Sequence, residues 1–210
     1  MISVVVPVKG EAPGALEALE RLAAAPAAEL IVASGPGSRG ARLSEAVDRA
    51  RGDVLFFIHA DSRPPERALE LIRHSLDGGA AAGAFSLRYA PEDAPMRWIA
   101  WWANRRARHL GIVFGDQGFF CRRDAYLAAG GFRDMPICED LDLVRRLQRV
   151  GRFAVLPEAT ATSPRRYRER GALRQILRGW MVLAGYYAGI EPVRLAEWYG
   201  RRTTDSARGG

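Results

Sequence analysis

The sequence is poor in cysteine, in lysine and in long apolar runs, and each shortage narrows what the protein can be. Its two cysteines, Cys121 and Cys138, have neither the spacing of a metal site nor the pattern of a secreted disulfide framework, so we expect reduced thiols in a cytoplasmic protein. No apolar stretch is long enough to cross a bilayer. The first apolar run is short and is broken by Pro7, which argues against a signal peptide. We therefore expect a protein that is not integral to a membrane.

Acidic residues are outnumbered by basic ones, 24 to 31, which gives a formal charge of +7. Such an excess favours phosphate-rich partners, among them nucleotides and anionic membrane surfaces. Lys9 is the single lysine, and the arginines are spread over many predicted elements rather than gathered on one. This dispersal argues against a nucleic-acid partner.

The first part of the chain alternates short apolar runs with segments of helical periodicity. The runs at 2–8, 29–33 and 53–58 predict buried strands, and the segments between them predict connecting helices. A β-α-β-α-β series favours right-handed crossovers. We therefore predict an α/β fold, Rossmann-like, with a mostly parallel sheet and helices on both faces.

The rest of the chain is less regular. We predict a half-exposed strand at 84–89, helices at 96–110 and 140–150, and a last short strand at 153–156. Residues 1–170 are expected to form the main domain and 171–202 a C-terminal helical extension of it. The tail at 203–210 is expected to be disordered.

Polar residues follow the predicted strands at the edge where open α/β sheets bind ligands. His59 and Asp61 end the third strand, and a carboxylate there suits a divalent metal that holds a diphosphate. The alternative is that Asp61 caps the next helix. After the second strand, the glycine-rich turn at 34–40 would let backbone amides and Arg39 approach phosphates, unless it is a plain surface turn.

Three further acids are candidates for chemistry, and we expect their loops to cluster with those at 34–40 and 59–61 at one edge of the sheet. Glu139 and Asp140 open a predicted helix, where one carboxylate would be a general base that deprotonates an acceptor hydroxyl. The alternative is that both acids only complement the helix dipole. Asp116 lies between glycines with no helix to cap, which favours a site role, although an Asp in a tight turn is also a common structural device.

The segment 97–106 combines three tryptophans with arginines on a predicted helix. Such a helix suits a membrane interface or a lipid-linked acceptor. The simpler expectation is an aromatic face that is buried against the sheet.

Six segments together carry a family resemblance, in the family's order: 4–11, 52–61, 115–123, 130–132, 139–143 and, more loosely, 175–180. The chain resembles the family 2 glycosyltransferases of the nucleotide-sugar-binding GT-A fold. It looks closest to the radical-SAM/selenodomain-associated glycosyltransferase-like subgroup. The resemblance covers the chain up to about Tyr199.

The resemblance implies an inverting, metal-assisted transferase of the hexosyl type. It would move a sugar from a nucleotide-diphosphate sugar to an unidentified hydroxyl acceptor. Asp61 matches the last acid of the family's Asp-x-Asp motif and would hold Mg²⁺ or Mn²⁺ against the donor diphosphate. The residues on the donor side would be Pro7, Glu11, Arg39 and His59.

On the other side of the reaction, Asp140 of the Glu139-Asp140 pair would be the base for displacement at the anomeric carbon. Asp116 would face the acceptor or the transferred sugar, with Gln117 and Trp180 on the same side. The protein would then be cytoplasmic, peripheral at the inner face of the membrane if its acceptor is lipid-linked.

Two departures from the family pattern keep a second hypothesis open. The turn at 33–38 has no carboxylate, whereas related enzymes read the nucleobase with an acid there. His59 stands in place of the first acid of Asp-x-Asp. The alternative is a sugar-nucleotide-binding or membrane-surface protein that keeps the fold with reduced or no turnover.

Overall fold

The structure of the chain, a computed structural model, describes residues 1–8 and 17–200. The prediction for Glu11 and the predicted disordered tail at 203–210 lie outside the described residues. The strands are β1 (Ile2–Pro7), β2 (Ala28–Ala33), β3 (Val54–Phe57), β4 (Ser62–Arg63), β5 (Ala82–Tyr89), β6 (Phe119–Arg122) and β7 (Phe153–Thr162). The helices are α1 (Glu17–Ala23), α2 (Arg39–Arg49), α3 (Ala68–Asp77), α4 (Ala94–Leu110), α5 (Arg123–Ala128), α6 (Glu139–Val150), α7 (Arg165–Arg170), α8 (Ala172–Tyr187) and α9 (Pro192–Trp198), with a 3₁₀ turn at Gly115–Gln117.

All seven strands form one sheet in the order β2-β1-β3-β6-β5-β7-β4. The predicted parallel pairing of β1 with β2 and β3 is confirmed. The sheet as a whole is mixed, because β6 runs antiparallel to both β3 and β5. Two reversals restore the direction, so β5 and its parallel neighbour β7 end at the same edge as β1, β2 and β3. The start of β6 and the turn before it lie at this edge too.

The strands alternate their apolar side chains between two cores, which confirms the α/β class with helices on both faces. Val5, Leu55 and Phe57 face a core that includes Leu43 of α2 and Leu147 of α6. Val4, Val6, Phe56 and Ile58 face a second core with residues of α1 and α3. The two central strands are therefore fully covered, as their continuous apolar runs indicate.

A strand is present at the predicted position 84–89, but the prediction that it is half-exposed is wrong. Every residue of β5 except Arg88 is buried, because the strand lies inside the sheet and its apolar side chains belong to three buried clusters. The polar Ser86 made the pattern resemble that of a half-exposed strand. The Ser86 hydroxyl donates to the Leu156 carbonyl at 2.7 Å and accepts from Arg108, so its hydrogen bonds are made within the protein interior. The short last strand is also longer than predicted, since β7 spans ten residues.

The expectation that the aromatic face of α4 is buried against the sheet is also wrong. The helix packs through Met96, Ile99, Ala100 and Ala107, and leaves Trp98, Trp101 and Trp102 58%, 51% and 46% exposed. Within the described part of the chain, no helix is long and apolar enough to cross a membrane.

The C-terminal helices pack onto the main body of the protein. Leu183 of α8 shares a buried cluster with Ile112 and Leu141, and Val182 shares another with Ile137 and Leu195. Their treatment as an extension of one domain, with a boundary near residue 170, stays a prediction.

Candidate active site

One cavity of about 750 Å³ lies at the edge where the parallel strands end. Asp61, Asp116, Glu139 and Asp140 all line it, although they come from three distant parts of the sequence. The predicted meeting of these acids at a single rim is therefore found in the structure. Leu87 and Tyr89 at the end of β5 and Thr162 at the end of β7 line the same cavity.

Asp61 reaches the cavity because the chain after β3 turns into the two-residue strand β4, which pairs with the end of β7. The side chain of Asp61 is exposed. Helix α3 begins only at Ala68 with Arg67 in the capping position, so the alternative role of Asp61 as a helix cap is wrong. Its carboxylate is therefore available to a ligand in the cavity.

Arg39 connects three of the predicted site residues. It is the first residue of α2, after the N-cap Ser38, whose hydroxyl accepts from the Ala41 amide at 3.1 Å. The Arg39 guanidinium donates from Nε to Glu139 and from Nη2 to Asp140. These are charge-assisted bonds, which are stronger than bonds between neutral groups.

The third nitrogen of Arg39, Nη1, lies 3.1 Å from Nε2 of His59. A guanidinium can only donate, so this contact is a hydrogen bond in the tautomer that leaves Nε2 of His59 as an acceptor. The same Nε2 lies 3.9 Å from Oδ2 of Asp140. Arg39 therefore holds an imidazole and two carboxylates around one guanidinium. A contact of Arg39 or His59 with the donor stays a prediction.

Helix α6 presents Glu139 and Asp140 from a special backbone position. Cys138, the residue before them, has a φ of 64° in the left-handed region, which is uncommon for a residue other than glycine. The Glu139 side chain is 1% exposed, and its Oε2 has no hydrogen-bond partner among the described residues. Asp140 accepts a hydrogen bond from the backbone of Gly115.

Gly115 packs so closely against the site that a side chain has no room. A Cβ there would lie 2.5 Å from Oδ2 of Asp140 and 2.7 Å from Nε2 of His59. The glycine of the Gly-Asp-Gln-Gly turn therefore allows the turn, the histidine and the carboxylate to approach each other.

Burial raises the pKa of Asp140 to about 6. The Arg39 guanidinium opposes this shift, while the negative charges of Glu139 and Asp116 add to it. The pKa of Arg39 is raised too. Burial alone would lower it, but the negative charges of Asp140 and Glu139 outweigh burial. A carboxyl with a pKa near neutrality is suited to exchange a proton with a substrate.

Two of the three residues predicted on the acceptor side line the cavity. Asp116 is half-buried and lines the cavity, as does the exposed Trp180 of α8. Gln117 is fully buried and does not line the cavity. Its Nε2 donates to the Phe85 carbonyl at 3.1 Å and its Oε1 accepts from the Phe114 amide, so it fastens the turn to β5.

On the donor side, Pro7 ends β1 and is half-buried, but it is not among the residues that line the cavity. Arg39 and His59 line it. Among the described residues, no group of three or more His, Cys, Asp or Glu side chains is arranged to hold a metal ion.

The donor set therefore fits a metal only in a limited way. His59 Nε2 lies against Arg39, whereas the Asp61 carboxylate is exposed at the cavity. Asp61 would hold a cation from the protein side, since Mg²⁺ is commonly held by one or two carboxylates together with substrate phosphates. The residues suit a cation that is shared with a diphosphate, not a site made of protein groups alone.

Several residues of the cavity were not predicted from the sequence. Tyr89 and Tyr167 pack edge to face at 5.4 Å, and Arg106 lies over the Phe114 ring at 4.4 Å. Burial raises the pKa of Tyr89, and the charge of Asp116 adds to the shift. The position of Tyr89 at the end of a strand was the available signal.

Asp142 is a further buried acid on α6 that was not predicted from the sequence, and its contacts are structural. Its carboxylate accepts from Arg146 at 2.6 Å on the next turn of α6 and from the Tyr186 hydroxyl of α8 at 3.2 Å. Asp142 thus ties the cavity wall to the helix that carries Asp140.

No protein-family model matches the sequence, and no curated protein matches it. The fold, however, is similar to those of solved glycosyltransferases. One is S. aureus TarS 1–349 in complex with UDP-GlcNAc, with a TM-score of 0.58 and 14% identity over 77% of this chain. The chain spans 58% of that TarS fragment.

Another similar structure is the mannosyltransferase PcManGT from Pyrobaculum calidifontis in complex with GDP-Man and Mn²⁺. It has a TM-score of 0.58 and 16% identity, and the match covers 94% of this chain and 69% of that one. TarS 1–349 without the sugar nucleotide gives a TM-score of 0.61 at 13% identity, over 94% of this chain and 68% of that one. The chain therefore has a GT-A-like glycosyltransferase fold.

Proposed function

We propose that the protein is an inverting glycosyltransferase that moves a sugar from a nucleotide-diphosphate sugar to a hydroxyl acceptor. The observation that carries this proposal is the convergence of Asp61, Asp116 and Asp140 on one cavity at the strand ends of a GT-A-like fold. The solved TarS and PcManGT complexes, which contain UDP-GlcNAc and GDP-Man, support a donor of this class.

Asp61 would hold a divalent cation together with the donor diphosphate. When bound, the cation offsets the negative charge that develops on the leaving diphosphate. The Mn²⁺ of the PcManGT complex supports a cation in this fold, and the exposed Asp61 carboxylate supports its place here.

Asp140 would be the general base. It takes the proton from the acceptor hydroxyl while the oxygen bonds to the anomeric carbon and the bond from that carbon to the diphosphate breaks. A pKa of about 6 supports this role, because the carboxylate is ionised at neutral pH and still basic. Arg39 is a positioning residue, since it fixes Asp140 and Glu139 through hydrogen bonds.

The donor site is tested by thermal unfolding with a panel of nucleotide-diphosphate sugars, with and without Mn²⁺. A ligand at 100 times its Kd stabilises by about 2.7 kcal/mol, which raises Tm by about 5–10 °C at this size. We expect a rise that needs Mn²⁺ and is lost in Asp61→Ala. The matched control is Asp77→Ala, at an exposed acid on α3 away from the cavity.

The base is tested separately with Asp140→Asn. We expect the Tm rise with the donor to persist, while release of nucleoside diphosphate falls by about 10²–10⁴-fold. Undiminished turnover would remove Asp140 from this role. Donor binding without turnover in the wild-type protein would instead favour the non-catalytic alternative, which the absence of a carboxylate at 33–38 also supports.

A further inference from the structure

Two helices beside the cavity expose large apolar side chains that the reaction does not require. On α4 these are Trp98, Trp101 and Trp102. The Trp102 ring packs edge to face with the other two, with ring centroids 6.0 Å apart for Trp98 and 5.2 Å apart for Trp101. On α8, Leu173, Leu177 and Trp180 are 70%, 59% and 54% exposed, and Met181 is also exposed. Contiguous exposed apolar patches mark interaction sites.

The exposed residues form continuous stripes. Leu173, Leu177 and Met181 follow one another at intervals of four, so they lie along one face of α8. Arg97, Trp101 and Arg105 do the same on α4, and the Arg105 guanidinium lies 5.4 Å from the Trp101 ring. We call the exposed apolar side chains of the two helices together the apolar surface: Trp98, Trp101 and Trp102 on α4, and Leu173, Leu177, Trp180 and Met181 on α8.

The charge on the two helices has one sign. Neither α4 nor α8 contains an Asp or a Glu, whereas α4 carries the exposed Arg97, Arg105 and Arg108 and α8 carries Arg174 and Arg178. Tryptophan beside arginine on a helix that lacks acids is the composition of an interfacial helix at an anionic membrane. Because no helix among residues 1–8 and 17–200 can cross a bilayer, contact would be made at the surface.

The apolar surface is continuous with the cavity. Trp98 and Trp102 of α4 and Trp180 of α8 line the cavity and are each about half exposed, so they form its rim. Ile99, Ile176 and Leu183, which are less exposed than these tryptophans, also line the cavity. Such aliphatic side chains offer no hydrogen-bond partner to the hydroxyls of a sugar, so they suit an apolar part of the acceptor.

We propose that the apolar surface docks onto an anionic lipid surface, from which the cavity takes an amphipathic acceptor. The acceptor hydroxyl would lie at Asp140 and its apolar chain between α4 and α8. The acceptor part of this inference rests on the proposed glycosyltransferase function, whereas the lipid contact does not.

The lipid contact is tested by flotation of the full chain with vesicles of phosphatidylglycerol and phosphatidylcholine, and with vesicles of phosphatidylcholine alone. We expect binding to the anionic vesicles that weakens at high salt. The double variant Trp101→Ser, Leu177→Ser should bind at least about tenfold more weakly. Neither residue lines the cavity, so the donor-dependent rise in Tm should be unchanged.

The matched control is Leu127→Ser on α5, which removes a leucine that is 65% exposed outside the apolar surface. Equal losses in the control and the double variant would overturn the proposal, as would a wild-type protein that binds neither kind of vesicle. A dimer that dissociates in the double variant, without vesicle binding, would show that a second copy covers the surface and would also overturn it.

The acceptor class is tested with methyl and octyl β-glucoside, which share their hydroxyls and differ in the apolar chain. Below its micelle concentration, octyl glucoside should bind or accept sugar at least about tenfold better than methyl glucoside. Trp180→Ala should reduce this preference. Equal use of both glucosides by an enzyme that still binds its donor would refute the acceptor assignment and leave the transferase function standing.

Discussion

The contact of Gly115 with Asp140 gives a sharp test of whether the position of this carboxylate controls catalysis. Gly115→Ala adds one methyl group, and the backbone of Gly115 is not in the left-handed region, so the alanine itself is not strained. The added methyl group, however, has too little room. The new Cβ would lie 2.5 Å from Oδ2 of Asp140, about 0.9 Å closer than ordinary van der Waals contact at 3.4 Å.

The carboxylate has to move away from the new methyl group, and this movement disturbs its hydrogen bond with the Arg39 guanidinium. A displacement of about 1 Å in a catalytic group costs about 10²-fold in rate, or about 2.7 kcal/mol in the activation barrier. Forcing a methyl into a packed site also lowers the free energy of unfolding by about 1–3 kcal/mol. We therefore expect a folded variant with about a hundredfold lower kcat and little change in donor affinity.

The measurement is steady-state release of nucleoside diphosphate from the donor selected by thermal shift, together with donor titration and thermal unfolding. Gly78→Ala is the matched control, since Gly78 has an ordinary φ of −73° at the end of α3 and a Cβ there would meet its nearest atom at 3.3 Å. Wild-type kcat in Gly115→Ala would refute the reasoning that Asp140 must hold its present position.

Three further predictions concern the charges around Asp140. Arg39→Ala leaves two buried carboxylates without their cation, so chemical denaturation should show a loss of about 3–5 kcal/mol, whereas Arg67→Ala, in an exposed pair with Glu70, should cost no more than about 1 kcal/mol. The pH profile of kcat/KM in the wild-type protein, which reports the free enzyme, should fall below pH of about 6, because Asp140 must be ionised to accept a proton and its pKa is raised to about 6. A flat profile down to pH of about 4, near the ordinary pKa of an aspartate, would contradict this. In Arg39→Lys, chosen to keep a charge, the apparent pKa of the profile should rise, because a lysine cannot reproduce the forked contact that lowers the pKa of Asp140; an unchanged profile would show that the guanidinium geometry is unimportant.

The sequence was sufficient to predict where the acids meet, because that follows from the direction of strands. Asp61 comes after β3 and Asp116 precedes β6, and the register of Phe57 with Phe119 brings these two ends together. The role of Arg39 was not predictable in the same way. Its partners Glu139 and Asp140 lie 100 and 101 residues away, and no local pattern encodes such a contact.

The errors have a common physical origin, which is that periodicity reports polarity and not coverage. Ser86 made β5 look half-exposed although its hydroxyl is bonded inside the protein. The tryptophans of α4 led to the opposite error. We expected them to be buried, since large aromatic residues usually are, but they are exposed. Which helix face is covered depends on tertiary packing, and the spacing of residues along one helix does not determine it.

Asp142 has a mechanical consequence, because it lies on α6 only two residues after the proposed base and binds Tyr186 of α8. Any outward swing of α8 that widens the entrance for an incoming molecule has to stretch or break this tether. The tension would be transmitted to the first turn of α6, where Asp140 lies. Entry of one reactant would thereby be linked to the position of the proposed base through the contacts between α6 and α8, which include this phenol–carboxylate bond, the packing of Leu141 with Leu183 and the Arg145 guanidinium over the Tyr186 ring.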